Sequence, residues 1–359
     1  MDKKNTYCVI LAGGVGSRFW PMSTTNHPKQ FHDILGVGRT LIQQTYDRLL
    51  SFCNSENIYV ITDGNYIDLV KEQIPELNIE NIIGEPVGMN TAPCALYSAM
   101  KIYKKNPKAE ILVCPSDHLI LNEERFTETV LLALKSSKEN QGLYTLGIKP
   151  TRPDTGYGYI QYVESDKQIK KVKTFTEKPN LDLAEKFLKS GDFLWNSGIF
   201  IWSAKDILDS FKKYLPEMYN AFNSINDYLN TKDELSKVKE VYPTLQKVSI
   251  DVGIMEKDKN VYVIPSQFGW SDLGTWLSLY EQADKDDNKN AKLSKNIFTY
   301  SSNRNIIYTQ KNKVTVIDKL EGYIVVDTND ALLISPIENS QKIKNYVTDI
   351  KLNKKQRHI

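Results

Sequence analysis

The residues best able to do chemistry come early, in LAGGVGSRFWPMSTTNHPKQF, residues 11–31. Gly13, Gly14 and Gly16 directly follow the apolar run 7–11, and Arg18 and Lys29 come after them. Glycine lets backbone N–H groups approach an anion with no Cβ in the way. Arg18 offers a planar fork of donors and Lys29 a mobile point charge. Several amides with two cations suit a triphosphate; a tight turn with two solvated cations is the alternative. Two well-known phosphate loops are excluded. GxGxxG begun at Gly14 needs a glycine where Phe19 stands, and GxxxxGK[ST] begun at Gly13 needs Gly-Lys where Arg18 and Phe19 stand.

Two carboxylates form the next group. In ILVCPSDHLI, Asp117 ends an apolar strand-like run, at the edge where open α/β sheets hold ligands. A carboxylate there suits Mg2+, which takes oxygen ligands and keeps several waters; a turn or capping aspartate is the alternative. Asp272 in GWSDLGTW stands at a similar strand-to-turn junction, and Ser-Asp-Leu-Gly also reads as plain turn chemistry.

The elements that must position these groups alternate through the first half. YCVIL, NIYVITD, NIIGEP, AEILVCPSD and LYTLGI are strand candidates. Between them, TLIQQTYDRLLSF, YIDLVKEQI, TAPCALYSAMKIYKK (Pro93 in its first turn) and ERFTETVLLALKSS carry helical spacing. This order predicts an α/β fold with a mostly parallel sheet and helices on both faces. From residue 151, GYGYIQYV, KVKTFTEKP and FLWNSGIFIWS read as strands around the helix LDLAEKFLKS, and residues 204–241 as helical. NVYVIPSQFGWSDLGTW returns to a strand and a turn. After the polar segment EQADKDDNKNAK the chain reads as short strands, suggesting a small β-domain of a few sheet coils. We place the boundary near 288, giving domains 1–287 and 288–359.

Composition narrows the partners. The 359 residues carry a formal net charge of +2, so no global field draws the protein to nucleic acid or membrane. The basic tail KLNKKQRH reads as a solvated end. Cys8, Cys53, Cys94 and Cys114 form no C-x-x-C pair and the four histidines do not cluster, which points to buried thiols rather than disulfides or zinc. No stretch approaches the about 18 apolar residues of a membrane span, and no signal-peptide pattern opens the chain, so the expected location is the cytoplasm.

LAGGVGSRFWPMS with PKQF resembles the N-terminal signature of the sugar-nucleotide pyrophosphorylases, and more narrowly of the mannose-1-phosphate guanylyltransferases. GEPVGMNTAP, PSDH, GYGYI, FTEKP, WNSGIF, SIDVGIMEK and GWSDLGTW continue the resemblance in family order over residues 7–277. The resemblance implies a Rossmann-like catalytic domain of the nucleotide-diphospho-sugar transferase type. It places the nucleotide on Leu11, Ala12, Gly13, Gly14, Gly16, Ser17, Arg18, Glu85, Asn90, Thr91, Pro93, Ser116 and Asp117. Guanine offers N1–H and an amino group, so the pocket needs acceptors such as Glu85 or backbone carbonyls; Asn90 and Thr91 also read as helix caps. The sugar phosphate falls on Gly156, Tyr157, Gly158, Glu177, Lys178, Asn196 and Asp251, with Lys257 nearby in sequence. Glycines 156 and 158 also fit a bulge. Glu177 and Lys178 are neighbours in an extended run, so both meet one ligand only if the Pro179 turn bends the chain; otherwise they are a solvated pair. Asp117 and Asp272 together are implied to hold Mg2+. Met89 and Thr24 stand where relatives often carry arginine, and Val252 where an aromatic residue is common.

The implied reaction joins GTP and mannose 1-phosphate into GDP-mannose and pyrophosphate by in-line attack on the α-phosphorus. The attacking phosphate has a second pKa near ~6 and needs no general base. Catalysis then reduces to positioning and charge neutralisation by Arg18, Lys29 and Lys178. The rivals are the same transfer onto another sugar 1-phosphate, a catalytically silent nucleotide-sensing homologue and, more distantly, a Rossmann oxidoreductase. The β-tail resembles the family's C-terminal association region, implying a homo-oligomer, with a dimer favoured. Some relatives carry a fused isomerase domain; a single activity is expected here.

Overall fold

The computed structural model describes residues 3–310 and 312–353; most of the basic tail, residues 354–358, lies outside the described residues. The chain divides into two compact units. One comprises the chain up to Gly13, Tyr46–Ser116 and Ile120–Trp270; the other comprises Gly14–Thr45, Asp117–Leu119 and the chain from Ser271 onward.

The first unit is built on a nine-stranded sheet. Its strands are β1 (Thr6–Leu11), β2 (Ile58–Asp63), β3 (Ile82–Glu85), β4 (Glu110–Pro115), β6 (Leu143–Ile148), β7 (Tyr159–Tyr162), β8 (Lys170–Thr176), β9 (Phe193–Ser203) and β10 (Val261–Ser266). The two-residue strands β5 (Leu119–Ile120) and β11 (Trp270–Ser271) lie outside it. The order is β3-β2-β1-β4-β9-β6-β10-β8-β7. The sheet is mixed: parallel from β3 to β4 and at β6–β10, antiparallel where β9 enters between β4 and β6. Central β1 is buried on both faces, Cys8, Val9 and Ile10 being fully covered, which explains its unbroken apolar run. Leu11 pairs in register with Ile61 and Pro115, and Asp63 with Glu85. The carboxyl ends of four strands therefore form one edge, where such sheets place ligands.

The helices expected from spacing are present: α1 (Leu41–Leu49), α2 (Ile67–Gln73), α3 (Thr91–Lys105), α4 (Glu123–Glu139) and α5 (Leu181–Ser190), then α6 (Ala204–Tyr214), α7 (Pro216–Asn223) and α8 (Glu234–Val241). α8 is fastened to α3 by a buried ion pair, Lys101 Nζ to Glu234 Oε2 at 2.6 Å, and Tyr97 donates its hydroxyl to the same carboxylate. All four cysteines are buried free thiols.

In the second unit, α9 (Trp276–Gln282) is followed by β12 (Ala291–Lys292), β13 (Ile297–Tyr300), β14 (Ile306–Tyr308), β15 (Thr315–Asp318), β16 (Tyr323–Asp327) and β17 (Leu332–Pro336), then α10 (Ile343–Leu352). Strands β12, β14 and β16 pair in parallel, as do β13 and β15; β17 closes antiparallel on β16. These are coils of sheet, pinned by an internal asparagine ladder. Asn305 Nδ2 donates to Asn290 Oδ1 at 2.9 Å and to the Leu320 carbonyl at 2.8 Å, and Asn305 Oδ1 accepts the Tyr323 N–H at 2.9 Å. Both asparagines are fully buried. α10 was not assigned from sequence, although Ile343, Tyr346, Val347 and Ile350 have helical spacing.

Asn305→Ala leaves the Tyr323 N–H without its partner and takes one of two donors from the Leu320 carbonyl, which keeps the Asn303 N–H, and from Asn290 Oδ1, which keeps the residue 305 N–H. The expected cost is roughly 1–3 kcal/mol, measured as a lower urea midpoint; an unchanged midpoint would remove the ladder from the account of stability.

Candidate functional site

In the second unit the glycine-rich turn runs into a short helical turn, Ser17–Phe19. Gly14 is exposed with open space at its Cβ position. Gly16 adopts φ +75°, and a Cβ there would lie 2.5 Å from Lys29 Cβ, so the close approach of the lysine stem demands glycine. Lys29 is only 2% exposed. Its ammonium donates to Asp117 Oδ2 at 2.8 Å and to the Asp272 carbonyl at 2.9 Å, and stands 5.2 Å from the Phe19 ring centre. Three sequence motifs thus converge on one buried cation. Burial pushes the Asp117 carboxyl up, but Lys29 and His118 outweigh this and hold it below its ordinary value. Asp272 Oδ1 accepts the Gly274 N–H at 2.9 Å. Arg18 is half-buried, and its Nε is a buried donor with no partner among the described residues. Thr24 closes a turn, accepting the His27 N–H on Oγ1 at 3.2 Å.

The first unit holds the other nucleotide candidates. The Ala12 N–H bonds the Ile61 carbonyl at 2.7 Å and the Ser116 N–H bonds the Leu11 carbonyl at 3.0 Å, so these residues extend the sheet edge. Glu85 is buried at the end of β3; its Oε1 accepts the Tyr242 hydroxyl and the Cys94 thiol, the latter at 3.0 Å. A Cβ on Gly13 would lie 3.2 Å from Glu85 Oε2. Asn90 caps α3, Oδ1 accepting the Thr91 N–H at 2.9 Å. Thr91 Oγ1 accepts the Ile250 N–H at 2.9 Å, tying the helix start to the chain before Asp251. Pro93 is buried in the first turn, and Met89 packs against the apolar core. Tyr242 and Cys94 were not singled out from sequence: Tyr242 lies just past residues 204–241, which read only as helix, and Cys94 read only as a buried thiol.

The sugar-phosphate candidates also gather in the first unit. Lys178 takes φ +44°, a left-handed conformation costing about 1–3 kcal/mol. The chain bends there, and Lys178, largely exposed, forms an ion pair with Glu177, an arrangement compatible with both a shared ligand and a solvated pair. A Cβ on Gly158 would sit 2.7 Å from Glu177 Oε2 and 3.4 Å from Asn196 Cβ. The Gly156 N–H bonds Asp154 Oδ1 at 2.8 Å. Asn196 Nδ2 donates to Asp251 Oδ1 at 2.7 Å. Glu177, Lys178, Gly158, Asn196 and Asp251 therefore form one cluster. Tyr157 instead joins an aromatic group, its ring 5.0 Å from Trp195 and 5.2 Å from Trp270. Asp251 begins an irregular helical turn, Asp251–Met255, and Val252 beside it is exposed. Burial, then the nearby Glu177 charge, raise the Asp251 pKa to about 6.

No group of three or more His, Cys, Asp or Glu side chains among the described residues is arranged to hold a metal. What the second unit offers is the Asp117 carboxylate on an ammonium whose other partner is the main-chain carbonyl of Asp272, the Asp272 side chain itself accepting the Gly274 N–H. That donor set fits Mg2+, which binds through one or two carboxylates and completes its shell with phosphate oxygens and water. Among the described residues no helix is long and apolar enough to cross a membrane.

A family model described as nucleotidyl transferase matches residues 7–289, and one described as MannoseP isomerase/GMP-like beta-helix domain matches residues 295–350. A mannose-1-phosphate guanylyltransferase of Salmonella montevideo is 37% identical over 361 residues, covering 98% of this chain and 75% of the relative. One of Salmonella typhimurium is 37% identical over 351 residues, covering 96% of this chain and 72% of the relative. Among solved structures, a protein of Thermus thermophilus named as a mannose-1-phosphate geranyltransferase superposes with a TM-score of 0.86 at 27% identity, covering 97% of this chain and 99% of the other.

Because the Asp251 pKa is raised in the fold, the protein loses stability as pH climbs from the ordinary carboxyl range through about 6. Asp251→Asn should therefore raise Tm at pH 8, with the gain fading to nothing by pH 4. A pH-independent difference in Tm would contradict the burial of this charge.

Proposed function

The chain belongs to the nucleotidyl transferase family, among the mannose-1-phosphate guanylyltransferases, and from that premise we propose that it transfers GMP from GTP to mannose 1-phosphate, releasing pyrophosphate. The observation that carries the reading is the convergence of Lys29, Asp117 and Asp272 on one point beside the glycine-rich turn. A sugar-phosphate dianion must meet a triphosphate, and the obstacle is repulsion between them. Asp117 and Asp272 would hold Mg2+, which when bound would neutralise phosphate charge.

The chain's own groups do the remaining work. Backbone amides of Gly13, Gly14, Gly16 and Ser17 donate to phosphate oxygens, and the open space at Gly14 supports an anion there. Arg18 holds the leaving pyrophosphate, a task for which its unpartnered Nε is available. Lys29 keeps Asp117 ionised and the loop in place; its burial favours this over the direct neutralisation of substrate charge expected from sequence. Lys178 receives the sugar phosphate, and Glu177, Asn196 and Asp251 accept and donate to hydroxyls in fixed directions. Glu85 and the segment through Asn90, Thr91 and Pro93 face the base, with Leu11, Ala12 and Ser116 supplying the backbone edge. Catalysis is assigned to 1–287.

Residues 288–359 serve subunit association, most simply as a dimer. Exposed Phe298, Tyr300 and Val316 on paired strands β13 and β15 support this. No nucleic acid or membrane takes part, and the reaction runs in the cytoplasm.

Pyrophosphate release with GTP, mannose 1-phosphate and Mg2+ tests the reading, with other nucleoside triphosphates and sugar 1-phosphates as competitors. Arg18→Ala should lower kcat/KM by about 10²–10³. A loss under threefold would remove Arg18 from the machinery, and equal rates with another sugar 1-phosphate would reassign the acceptor. By light scattering, Phe298→Lys should lower the mass toward a monomer; an unaltered mass would move the association surface elsewhere.

A further inference from the structure

The carboxylate nearest the start of the glycine-rich turn is held asymmetrically. Glu85 stands at the end of β3, at the same sheet edge as Leu11. Among the described residues, both donors to it reach Oε1: the Tyr242 hydroxyl, and the Cys94 thiol at 3.0 Å. The single thiol proton has a second acceptor in reach, the Asn90 carbonyl at 3.2 Å. Oε2 is the oxygen that lies against exposed Gly13, where a Cβ would approach to 3.2 Å. One oxygen is therefore occupied inward, and the other is turned to the place where the glycine-rich turn leaves β1.

Tyr242 comes from a remote stretch of chain, and the structure takes trouble to bring it there. It follows α8, which the buried Lys101–Glu234 pair clamps to α3. Its ring packs edge-on against Phe222 at 5.9 Å and Tyr97 at 6.4 Å, and it is fully buried. An ionised carboxylate with two inward donors and one outward oxygen is an acceptor only. It matches the N1–H and amino edge of guanine and repels the N1 lone pair of adenine.

We propose that Tyr242 and Cys94 are positioning residues that keep Glu85 ionised with Oε2 outward, and so set the preference for guanine over adenine; this rests on the guanylyl-transfer reading above. The groups acting on Glu85 oppose one another, and the two hydrogen bonds are what work against a net upward shift. Burial pushes its carboxyl up, as does the Asp63 charge at the end of β2, while the Tyr242 and Cys94 hydrogen bonds pull it down. Both donors are themselves held neutral, their own pKa values being raised. Removing either donor favours the protonated acid, which can donate to adenine N1 and no longer accepts as well from guanine.

The test measures binding of Mg-GTP and Mg-ATP by calorimetry from pH 5 to 8, together with kcat, KM and Tm. The proteins are wild type, Tyr242→Phe, Cys94→Ala and Glu85→Gln. Tyr242→Phe should weaken GTP about tenfold and lower the GTP-over-ATP preference by a similar factor, with kcat changed far less. Deleting a donor to the ionised form raises the carboxyl pKa, so GTP affinity should begin to fall at a higher pH as the solution is acidified. Cys94→Ala should move each quantity the same way by a smaller factor. If both variants lower Tm alone, with preference and pH midpoint as in wild type, the positioning role is overturned. If Glu85→Gln loses the preference while Tyr242→Phe keeps it, the positioning role falls and the guanylyl reading stands. If wild type shows no preference for GTP, the base-reading assignment falls and takes the positioning role with it.

Discussion

One buried ammonium organises the second unit. A lysine that is 2% exposed must find compensation for lost water, and Lys29 finds it in Asp117 Oδ2 and the Asp272 carbonyl. Those two partners lie 88 and 243 residues from it in sequence. Gly16 follows from the same constraint, since only a residue without Cβ leaves room for the lysine stem. The electrostatic need of one side chain thus fixes the exit of the glycine turn and the approach of both carboxylate residues. Removing the lysine would take this donor from the Asp272 carbonyl and from an Asp117 carboxylate that water partly reaches.

Three carboxylates in this protein are tuned differently by what surrounds them. Asp117 is pushed up by burial but held below its ordinary range by the cation beside it. Asp251 is raised to about 6 by burial and by Glu177. Its neutral and charged forms are therefore both accessible near neutrality, and it can either donate to or accept from a hydroxyl. Glu85 is raised by burial but opposed by two donors on one oxygen, which suits reading an edge rather than binding a cation. Identical side-chain chemistry yields three protonation behaviours because the fold supplies three environments.

Strand and helix identities were legible wherever one period dominated. TAPCALYSAMKIYKK, LDLAEKFLKS and FLWNSGIFIWS each became one element over their quoted length. The insertion of β9 antiparallel between β4 and β6 was not legible, because an apolar run says nothing of its neighbour's direction. Among the candidate residues, types and motifs were readable but partners were not. Lys29 looked like a mobile point charge and is a buried strut. Glu177 and Lys178 looked able to share a ligand only if the chain bent, and Lys178 takes the left-handed conformation that bends it. Tyr242 gave no local signal, since its importance lies entirely in what it touches across 157 residues.

The asparagine-pinned coils also bear on the site, because they share a core with it. Phe19 and Trp20, flanking the turn after Arg18, belong to the same buried cluster as Trp276, Ile306, Ile324 and Val347. Trp276 Nε1 donates to the Trp20 carbonyl at 3.3 Å, and its ring lies 5.0 Å from Phe19. Trp276 stands four residues after Asp272, so the motif that brings the second carboxylate also brings the ring that braces the first motif. Apolar packing of this kind fixes geometry that an ion pair alone leaves soft, because close-packed rings tolerate little displacement. The β-coil region is therefore part of what holds the glycine turn, Arg18 and Lys29 in their working arrangement.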